Sequence, residues 1–419
     1  MSSFRIYILD AYQRAVSRYP KQLWILVAGS FIQALGWGLV FPFFTLYFRQ
    51  QLGISMTSVG ILLSIFSVGN IAGQLISGVL TDRFGRRPVI LVTTFMHPLL
   101  MLAMIPGRSF VYFAVVGFVL GLFDEAFSPA ANAMIADLVE EPDRLGAYSA
   151  LRIARNLGVV FGPAVGGYVA SISYAYLWAG AAIFLVAFFF IALFFLDETF
   201  GGVTTVERGG YGVVLADRLF IRFLVISTLV FVFVNQMALT LPVYLKEYAG
   251  LDERVYGSLF SVNAAMVVLL QLPVARLVTP LAPGRALAMG SLLYGIGLGM
   301  YSFTRSFAWA LVAMAILTLG EIVMSPVLSS YVAALAPEEH RGKYMSAFGL
   351  SFSGVAALIA PPLGGALYEL NGAFVWYAAF IFLVIAAGAY LKLPSARVHS
   401  TDEVERRETE KRHSQRAGL

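Results

Sequence analysis

Long apolar stretches alternate with short polar segments along the whole chain. A helix needs about 20 apolar residues to cross a bilayer, and twelve stretches are close to that length or longer. They lie at residues 22–48, 56–80, 88–106, 109–138, 146–172, 174–196, 218–246, 255–279, 285–303, 307–335, 344–369 and 374–393. The strands of a membrane barrel would show alternating polarity over about ten residues, a pattern that we do not find. The sequence therefore predicts an all-α membrane protein with twelve transmembrane helices.

The composition agrees with a lipid environment. Of the 419 residues, 59% are hydrophobic and 13% are charged, whereas a typical soluble domain has about 25% charged residues. The chain has no cysteine, so it offers neither a disulfide framework nor a thiolate metal site. It also lacks a GxxxxGK-Ser/Thr phosphate loop and the spacings typical of catalytic or metal sites. We expect no enzymatic activity, no cofactor, no metal site and no nucleic-acid partner.

Basic residues are distributed unevenly between the two sides of the predicted membrane protein. Lys and Arg concentrate near both ends of the chain and in every second loop, as at Arg83, Arg86 and Arg87. Loops rich in Lys and Arg face the cytoplasm. We therefore expect a multi-pass protein of the plasma (inner) membrane with both termini cytoplasmic.

These features divide the chain into five segments. Residues 1–21 place apolar and basic residues at helical spacing, which is typical of an interfacial helix, although an unstructured tail is the alternative. Two six-helix bundles follow at 22–196 and 218–393, joined by a cytoplasmic linker at 197–217. Residues 394–419 are charged and nearly free of large apolar side chains, so we expect a disordered cytoplasmic tail.

The two halves of the chain repeat one another. A shift of 197 residues aligns identical or similar residues over about 110 positions. The aligned pairs include Gly53 with Gly250, Gln74 with Gln271, Asp124 with Glu321, Ser128 with Ser325 and Pro129 with Pro326. Such a duplication predicts two pseudo-symmetric bundles, with a substrate site near the midplane where they meet.

Two motifs resemble those of a known family. Between the second and third stretches runs Gly78-x-x-x-Asp82-Arg83-x-Gly85-Arg86-Arg87, which resembles the signature loop of the major facilitator superfamily. The fifth stretch contains Gly158-x-x-x-Gly162-Pro163-x-x-Gly166-Gly167, which resembles a motif of that superfamily's drug/proton antiporters. The resemblance implies the major facilitator fold and transport by alternating access.

The first motif suggests a gate on the cytoplasmic side. We expect Asp82 to lie near a helix N-terminus of the other half, where the helix dipole stabilises a carboxylate. We expect Arg83 or Arg86 to pair with Asp137. Such a cluster would hold the cytoplasmic side closed while the outer side is open; a loop that only fixes topology is the alternative. The second half lacks the glycine and the aspartate of this motif, so only the first copy is expected to act.

The second motif leaves one face of the fifth helix without side chains. Its glycines allow a close neighbour, and Pro163 removes a backbone donor. The resemblance implies close packing against a helix of the other half. Packing within one bundle is the alternative.

Three acidic residues lie near the middle of apolar stretches: Asp124 and Glu125 in the fourth, and Glu321 in the tenth. A carboxylate at the bilayer centre costs roughly 3 kcal/mol on insertion scales, so it marks a functional site by default. Burial favours its protonated form, and we expect these residues to carry protons. Successive residues of a helix point about 100° apart, so the two neighbours cannot point the same way. We expect Asp124 rather than Glu125 to face the central cavity, because its repeat equivalent Glu321 is also acidic.

Arg152 and Arg155 enter the membrane in the fifth stretch and need an acidic partner or access to water. The candidate partners are Asp124, Glu125 and Asp137, and a static buried ion pair is the alternative to a coupling role. Drug antiporters of the superfamily usually carry an arginine in the fourth span, where this chain has none. Arg152 or Arg155 would then substitute for it.

The remaining polar residues of interest are Gln33, Asn235 and Gln236, which we expect to contact substrate or neighbouring helices. We interpret His97 as a packed or interfacial residue. Together these features predict a secondary active transporter, acting as a monomer on a small-molecule substrate and protons. Export of amphiphilic or drug-like compounds by antiport is the leading hypothesis. The alternatives are proton-coupled uptake of a polar metabolite and, in another class, a membrane receptor or channel.

Overall fold

The computed structural model describes residues 19–200, 212–337 and 340–394. The expected interfacial segment and the expected charged tail lie almost entirely outside these ranges, as does about half of the linker. Within the described residues, the regular secondary structure is helical throughout.

Twelve long helices, α1 to α12, make up the described part of the chain. The first half contains α1 Lys21–Leu52, α2 Met56–Phe84, α3 Arg86–Ala103, α4 Phe110–Leu138, α5 Glu141–Ile172 and α6 Tyr174–Phe195. The second half contains α7 Arg218–Leu239, α8 Glu253–Val278, α9 Pro283–Phe303, α10 Phe307–Leu335, α11 Arg341–Leu370 and α12 Phe374–Leu391. After a break, α7 continues as Leu241–Ala249.

Ten of these helices combine the length and the apolar composition of a membrane span. The other two are α3 and α5, which have 18 and 32 residues. The first begins with Arg86 and Arg87, and the second carries Arg152 and Arg155 among its glycines. Their charged residues therefore lower the apolar content without shortening the helices.

The helix bounds repeat between the halves with the same offset as the sequence. The fourth and tenth helices begin at Phe110 and Phe307, which are 197 residues apart. Gly53 and Gly250 end the helical segments before α2 and α8, with φ of 61° and 66°. Glycine adopts this left-handed conformation without a steric penalty. The expected fold class, two pseudo-symmetric six-helix bundles, is confirmed.

The two halves meet along two helix pairs, α2 with α11 and α5 with α8. The first helix begins on the side where the twelfth ends, which we call the terminal side, and the opposite side is the distal side. Near the middle, Ser64 Oγ donates to the carbonyl of Leu358 at 2.7 Å and Ser67 Oγ to that of Ala357 at 3.2 Å. Toward the terminal side, these helices are largely exposed; Val79 and Leu277 are 66% and 75% exposed. The halves are thus joined distally and spread apart at the terminal side.

Large apolar side chains cover the outside of the molecule. Leu75, Phe194, Leu272 and Leu391 are each at least 60% exposed. Soluble proteins rarely expose so extensive an apolar surface, whereas lipid chains solvate it. The bilayer is therefore the medium that this fold requires.

Candidate functional site

The fourth helix is interrupted at the residues that carry its acids. It consists of Phe110–Asp124 and Phe127–Leu138, with a turn between them. Pro129 has no N–H to donate to the carbonyl four residues earlier. Ser77 of α2 donates to the carbonyl of Ala126 at 2.5 Å, so a neighbouring helix satisfies one backbone group of the break. The interruption places polar groups at the middle of the span.

A cavity of about 260 Å³ lies beside this break, within the first half. Asp124, Glu125, Gln33, Arg152 and Arg155 all line it. The Glu125 Oε1 atom lies 3.6 Å from Arg155 Nη2, and the two side chains are 30% and 57% exposed. A pair this exposed is screened by water and is weak. The Glu125 carboxylate therefore stays accessible to a ligand, and a static buried pair does not describe it.

The expectation that Asp124 rather than Glu125 faces the cavity is corrected, because both residues line it. The angle of about 100° between neighbours holds only within a continuous helix. Glu125 is the residue that ends the first segment of α4, with ψ of −7°. The sequence alone does not reveal that the helix stops between the two acids.

His97 of α3 lies near Asp124 but does not line the cavity. Its Nε2 atom is 3.6 Å from Asp124 Oδ1, and the two side chains are 1% and 12% exposed. Within the described part of the chain, neither ring nitrogen has a hydrogen-bond partner. Sequence reasoning missed this contact, although the repeat contained a signal: position 97 aligns with Tyr294, another polar ring.

The second half contains a larger and more apolar cavity, of about 520 Å³. Phe231, Phe348 and Phe352 contribute to its walls, and Glu321 is its acidic residue. Asn263 Nδ2 donates to Glu321 Oε2 at 2.9 Å and to Thr318 Oγ1 at 3.0 Å. This amide fixes the carboxylate beside the apolar walls.

The neighbouring amides Asn235 and Gln236 have different surroundings. Asn235 lines the second cavity and donates to the carbonyl of Phe231 at 2.8 Å. Gln236 is 1% exposed and does not line it. Its Nε2 donates to the carbonyl of Ala360 in α11 at 2.7 Å, and its Oε1 accepts from Thr240 at 2.5 Å. Gln236 is therefore not a cavity residue. Of its two expected roles, contact with a neighbouring helix is the observed one, because its hydrogen bonds join α7 to α11.

Ion pairs close the distal side between the halves. Arg49 at the end of α1 lies 3.1 Å from Glu247 and 3.2 Å from Glu369. Glu369 also accepts from the backbone N–H of Met56 at 2.5 Å. We call Arg49, Glu247 and Glu369 the distal clasp. It joins α1 of the first half to two elements of the second.

A second set of distal contacts lies beside α8. Tyr174 of α6 donates to Glu253 at 2.9 Å, and Lys246 forms an ion pair with the same carboxylate. Arg254 Nε donates to Ser171 Oγ at 2.9 Å. Because Tyr174 and Ser171 belong to the first half, these contacts add to the distal clasp.

The signature loop is fixed within the first half by its last three residues. Arg86 Nε lies 2.8 Å from Asp137 Oδ2, as expected for one of the two arginines considered. Glu198 accepts from the backbone N–H groups of Arg86 and Arg87 at 3.0 and 3.1 Å. A Cβ at Gly85, where φ is 98°, would lie 2.5 Å from that carboxylate. Glu198, which sequence reasoning did not identify, therefore caps the start of α3.

The first three residues of the loop motif have no such anchoring. Nothing lies within 4 Å of a Cβ built at Gly78. Arg83 is exposed, with its guanidinium 5.3 Å from the Phe84 ring. Asp82 lies on the same end of α2, at the terminal side where the halves are spread. This part of the motif therefore differs from Gly85, Arg86 and Arg87, which Asp137 and Glu198 fix.

The glycine motif of α5 packs against two different helices. Gly158, Gly162 and Gly166 face α1 of the same half, where an added Cβ would lie 2.4–2.6 Å from backbone atoms. Gly167 faces α8 of the other half, where a Cβ would lie 2.6 Å from a backbone carbonyl. The carbonyl of Pro163 also faces a glycine of α8. Packing within one bundle and packing between halves therefore both occur.

The arrangement supplies charge in one half and apolar contact in the other. Carboxylates of the first cavity can bind protons or cations, and its guanidinium groups can bind anions. The second cavity can hold an apolar group next to one acid. Over the residues that the structure describes, no group of three or more His, Cys, Asp or Glu side chains is placed to hold a metal ion.

Comparison with curated proteins identifies transporters. The chain is 28% identical to the Na(+), Li(+), K(+)/H(+) antiporter of Planococcus maritimus, over 88% of this chain and 96% of that protein. It is 26% identical to the multidrug resistance protein MdtH of Aeromonas hydrophila subsp. hydrophila, over 83% of this chain and 87% of that protein. The expected class, a membrane transporter rather than an enzyme, is confirmed.

Solved structures share the fold. The nucleoside transporter NupG superposes with a TM-score of 0.77 at 12% identity, covering 89% of this chain and 100% of its own. A bacterial homologue of the lysosomal transporter Spinster, in an inward-facing and unoccupied conformation, gives 0.73 at 15% identity and covers 89% of this chain and 96% of its own. The family model of the Major Facilitator Superfamily matches residues 26–353 and 238–417. This chain belongs to the Major Facilitator Superfamily.

Proposed function

We propose that this protein is a proton-coupled antiporter that exports amphiphilic, cationic organic compounds across the plasma (inner) membrane. It acts as a monomer by alternating access. The terminal side is the cytoplasmic side, with both chain termini inside, because the basic loops lie there. The distal side then faces the exterior.

The observation that carries this proposal is the difference between the two cavities. The first is lined by Asp124 and Glu125, and the second by aromatic side chains around Glu321. An amphiphilic cation has both an apolar body and a positive group, so it matches the pair of cavities better than a wholly polar solute does. Buried apolar contact is worth about 25 cal/mol per Å², which favours a large organic substrate in the second half.

The distal clasp supports alternating access. With the clasp formed and the terminal side spread, the substrate cavities face the cytoplasm. Closure of that side would bring the end of α2, with Asp82, against the second half, where the start of α11 offers a helix N-terminus. Opening of the clasp would then release the substrate outside.

Proton coupling follows from competition for the same carboxylates. A proton and a cationic substrate both neutralise an acid in the cavity, so each weakens the binding of the other. When one proton exchanges for one monovalent cation, no net charge crosses the membrane, so the pH gradient supplies the free energy, about 1.4 kcal/mol per pH unit. This corresponds to about a tenfold concentration ratio of the substrate for each pH unit.

The test uses the purified full chain in proteoliposomes with an imposed pH gradient and ethidium as a lipophilic cation. We expect ethidium flux that follows the gradient and stops when a protonophore collapses it. Each ethidium transported should move protons in the opposite direction, measured with a pH-sensitive dye. Ethidium flux that is independent of the pH gradient would contradict the proposal. Gradient-driven accumulation of polar metabolites alone would contradict it as well.

A second candidate function is exchange of monovalent metal cations for protons. The similarity to the Na(+), Li(+), K(+)/H(+) antiporter favours it, as does the small polar cavity with two acids. The same proteoliposomes distinguish the two functions. Proton release driven by added Na⁺, Li⁺ or K⁺, without any ethidium flux, would support the second candidate.

The orientation has its own test, because the chain lacks cysteine. Single cysteines at the exposed positions Arg108 and Arg305 should react with a membrane-impermeant maleimide added to intact cells. Cysteines at the exposed positions Arg83 and Arg276 should react only after the cells are opened. Reaction at Arg83 in intact cells would reverse the proposed orientation.

A further inference from the structure

The surroundings of His97 are unusual for a packing residue. The ring is 1% exposed, and neither nitrogen has a hydrogen-bond partner among the residues that the structure describes. Burial of an unpaired polar group is unfavourable, so an apolar residue would fill the same space at lower free-energy cost. The structure places Asp124 Oδ1 3.6 Å from Nε2 of the ring.

We propose that His97 and Asp124 form one proton-binding unit, in which His97 positions Asp124 and shares its proton. This inference rests on the proposed proton coupling and adds a residue to it. Asp124 lines the cavity, whereas His97 does not. A proton from water in the cavity would bind the carboxylate first. A small rotation of either side chain would shorten the distance between Nε2 and Oδ1 from 3.6 Å to that of a hydrogen bond, about 2.8 Å. Along this hydrogen bond, the proton leaves the carboxyl oxygen and binds Nε2.

Three helices pack against α3, namely α2, α4 and α6, and two of them bring no charge near His97. The charged residues of α2 are Asp82 and Arg83, at its terminal end. The sixth helix has no charged residue, and its tyrosines, Tyr174 and Tyr176, lie at its distal start. Neither helix therefore competes with Asp124 for the imidazole.

The fourth helix and α3 itself contain the remaining charged groups. Asp137 is bound to Arg86 at the terminal end of α3, and Arg87 donates to backbone carbonyls there. Glu125 follows Asp124 and lies 3.6 Å from a guanidinium of α5. Asp124 is thus the carboxylate placed to respond to the charge of His97.

The repeat places an equivalent ring in the second half. Tyr294 of α9 aligns with His97, and it lines the same cavity as Glu321. Each half therefore sets a polar ring of its third helix beside the midplane acid of its fourth. An imidazole changes charge near neutral pH, whereas a phenol does so only near about pH 10. Proton sharing is therefore confined to the first half.

The first test compares the pH dependence of ethidium transport in His97→Gln, His97→Tyr and the wild type. Glutamine is close to the ring in size and can also form hydrogen bonds, but it does not titrate. Tyrosine copies the second half. We expect both variants to shift the half-maximal pH of transport toward lower pH by about one unit or more, because the unit loses a proton-binding site. His340→Gln, outside the membrane helices, is the control and should match the wild type.

The second test needs neither transport nor a His97 variant. Replacement of His340, His399 and His413 by glutamine leaves His97 as the one histidine of the four in the sequence. Nitrogen NMR of the labelled ring then follows its protonation between about pH 5 and about pH 9, with and without Asp124→Asn. We expect the titration midpoint to fall by about one unit or more in Asp124→Asn, since the carboxylate stabilises the imidazolium.

The outcomes separate this inference from the proposed function. An unchanged NMR titration in Asp124→Asn, or a ring that does not titrate in either protein, would overturn the pairing. Gradient-driven transport in the wild type with an identical pH profile in His97→Gln would also overturn it, while the antiporter proposal would stand. Absence of gradient-driven transport in the wild type, together with a coupled NMR titration, would remove the proposed function and keep the pair.

Discussion

At the scale of single residues, the adjacent amides of α7 show how position decides the role. Asn235 lines the second cavity, whereas Gln236 bonds to Ala360 of α11 and to Thr240. The two residues look alike in the sequence, since both are amides in one apolar stretch. Asn235 forms a one-residue turn between the helical segments Arg218–Val234 and Gln236–Leu239. The two amides therefore have different surroundings, and the apolar pattern does not encode that turn.

We predict that Gln236→Ala destabilises the protein by about 1–3 kcal/mol, because it leaves buried groups without a partner. Asn235→Ala is the matched control. The Asn235 side chain donates to a carbonyl of its own helix, so its loss should change the stability less. Thermal unfolding in detergent measures both. Equal stability of the two variants would show that the bonds of Gln236 contribute nothing specific.

Acids and arginines in the membrane could be identified from the sequence because insertion of charge is costly. The sequence did not predict which of them share a cavity. Asp124, Glu125 and Arg155 came together because α4 is interrupted, and His97 joined them from another helix. Such contacts depend on helix breaks and on the rotation of neighbouring helices.

At the scale of elements, α5 shows one helix serving two interfaces. Three of its glycines face α1 of its own half, and Gly167 faces α8 of the other. The position of α5 itself was predictable, since apolar length identifies a membrane helix. The division of its glycines between two neighbouring helices could not be predicted, because a small-residue motif does not specify which helix packs against it.

We predict that Gly162→Val and Gly167→Val have different effects. Gly162→Val forces α5 and α1 apart within one bundle and should lower the unfolding temperature. Gly167→Val should instead open the distal interface between halves and favour the conformation open on the distal side. Spin-label distances between cysteines at Arg108 and Arg305 measure the opening. Gly180→Val, where a Cβ meets nothing within 4 Å, is the control and should change neither property.

At the scale of the whole molecule, two bundles face one another with one side closed. The duplicated plan was predictable from the offset of 197 residues and the motifs. Which side is closed could not be predicted from the sequence, because closure depends on residues from distant helices, such as Arg49 and Glu369. The proposed alternating access requires the same sequence to support the opposite conformation as well.

We predict that Arg49→Gln shifts the molecule toward opening on the distal side. Exposed ion pairs contribute about 1 kcal/mol or less each, so loss of both pairs should raise the distal-open population by about threefold to tenfold. The same spin-label pair at Arg108 and Arg305 reports this population. Arg285→Gln, an exposed arginine at the terminal end of α9, should leave it unchanged. An unaltered distance distribution in Arg49→Gln would show that the distal clasp does not hold this side closed.

The most direct test of proton coupling is gradient-driven ethidium efflux in Asp124→Asn and Glu321→Gln. Each amide keeps nearly the shape of the acid but does not titrate, and it is less costly to bury than an unpaired carboxylate. We predict that at least one variant loses gradient-driven efflux while downhill exchange and the unfolding temperature are retained. If these acids instead formed static structural pairs, their replacement would lower the unfolding temperature and would reduce all transport. Full gradient-driven efflux in both variants would contradict proton coupling through these residues.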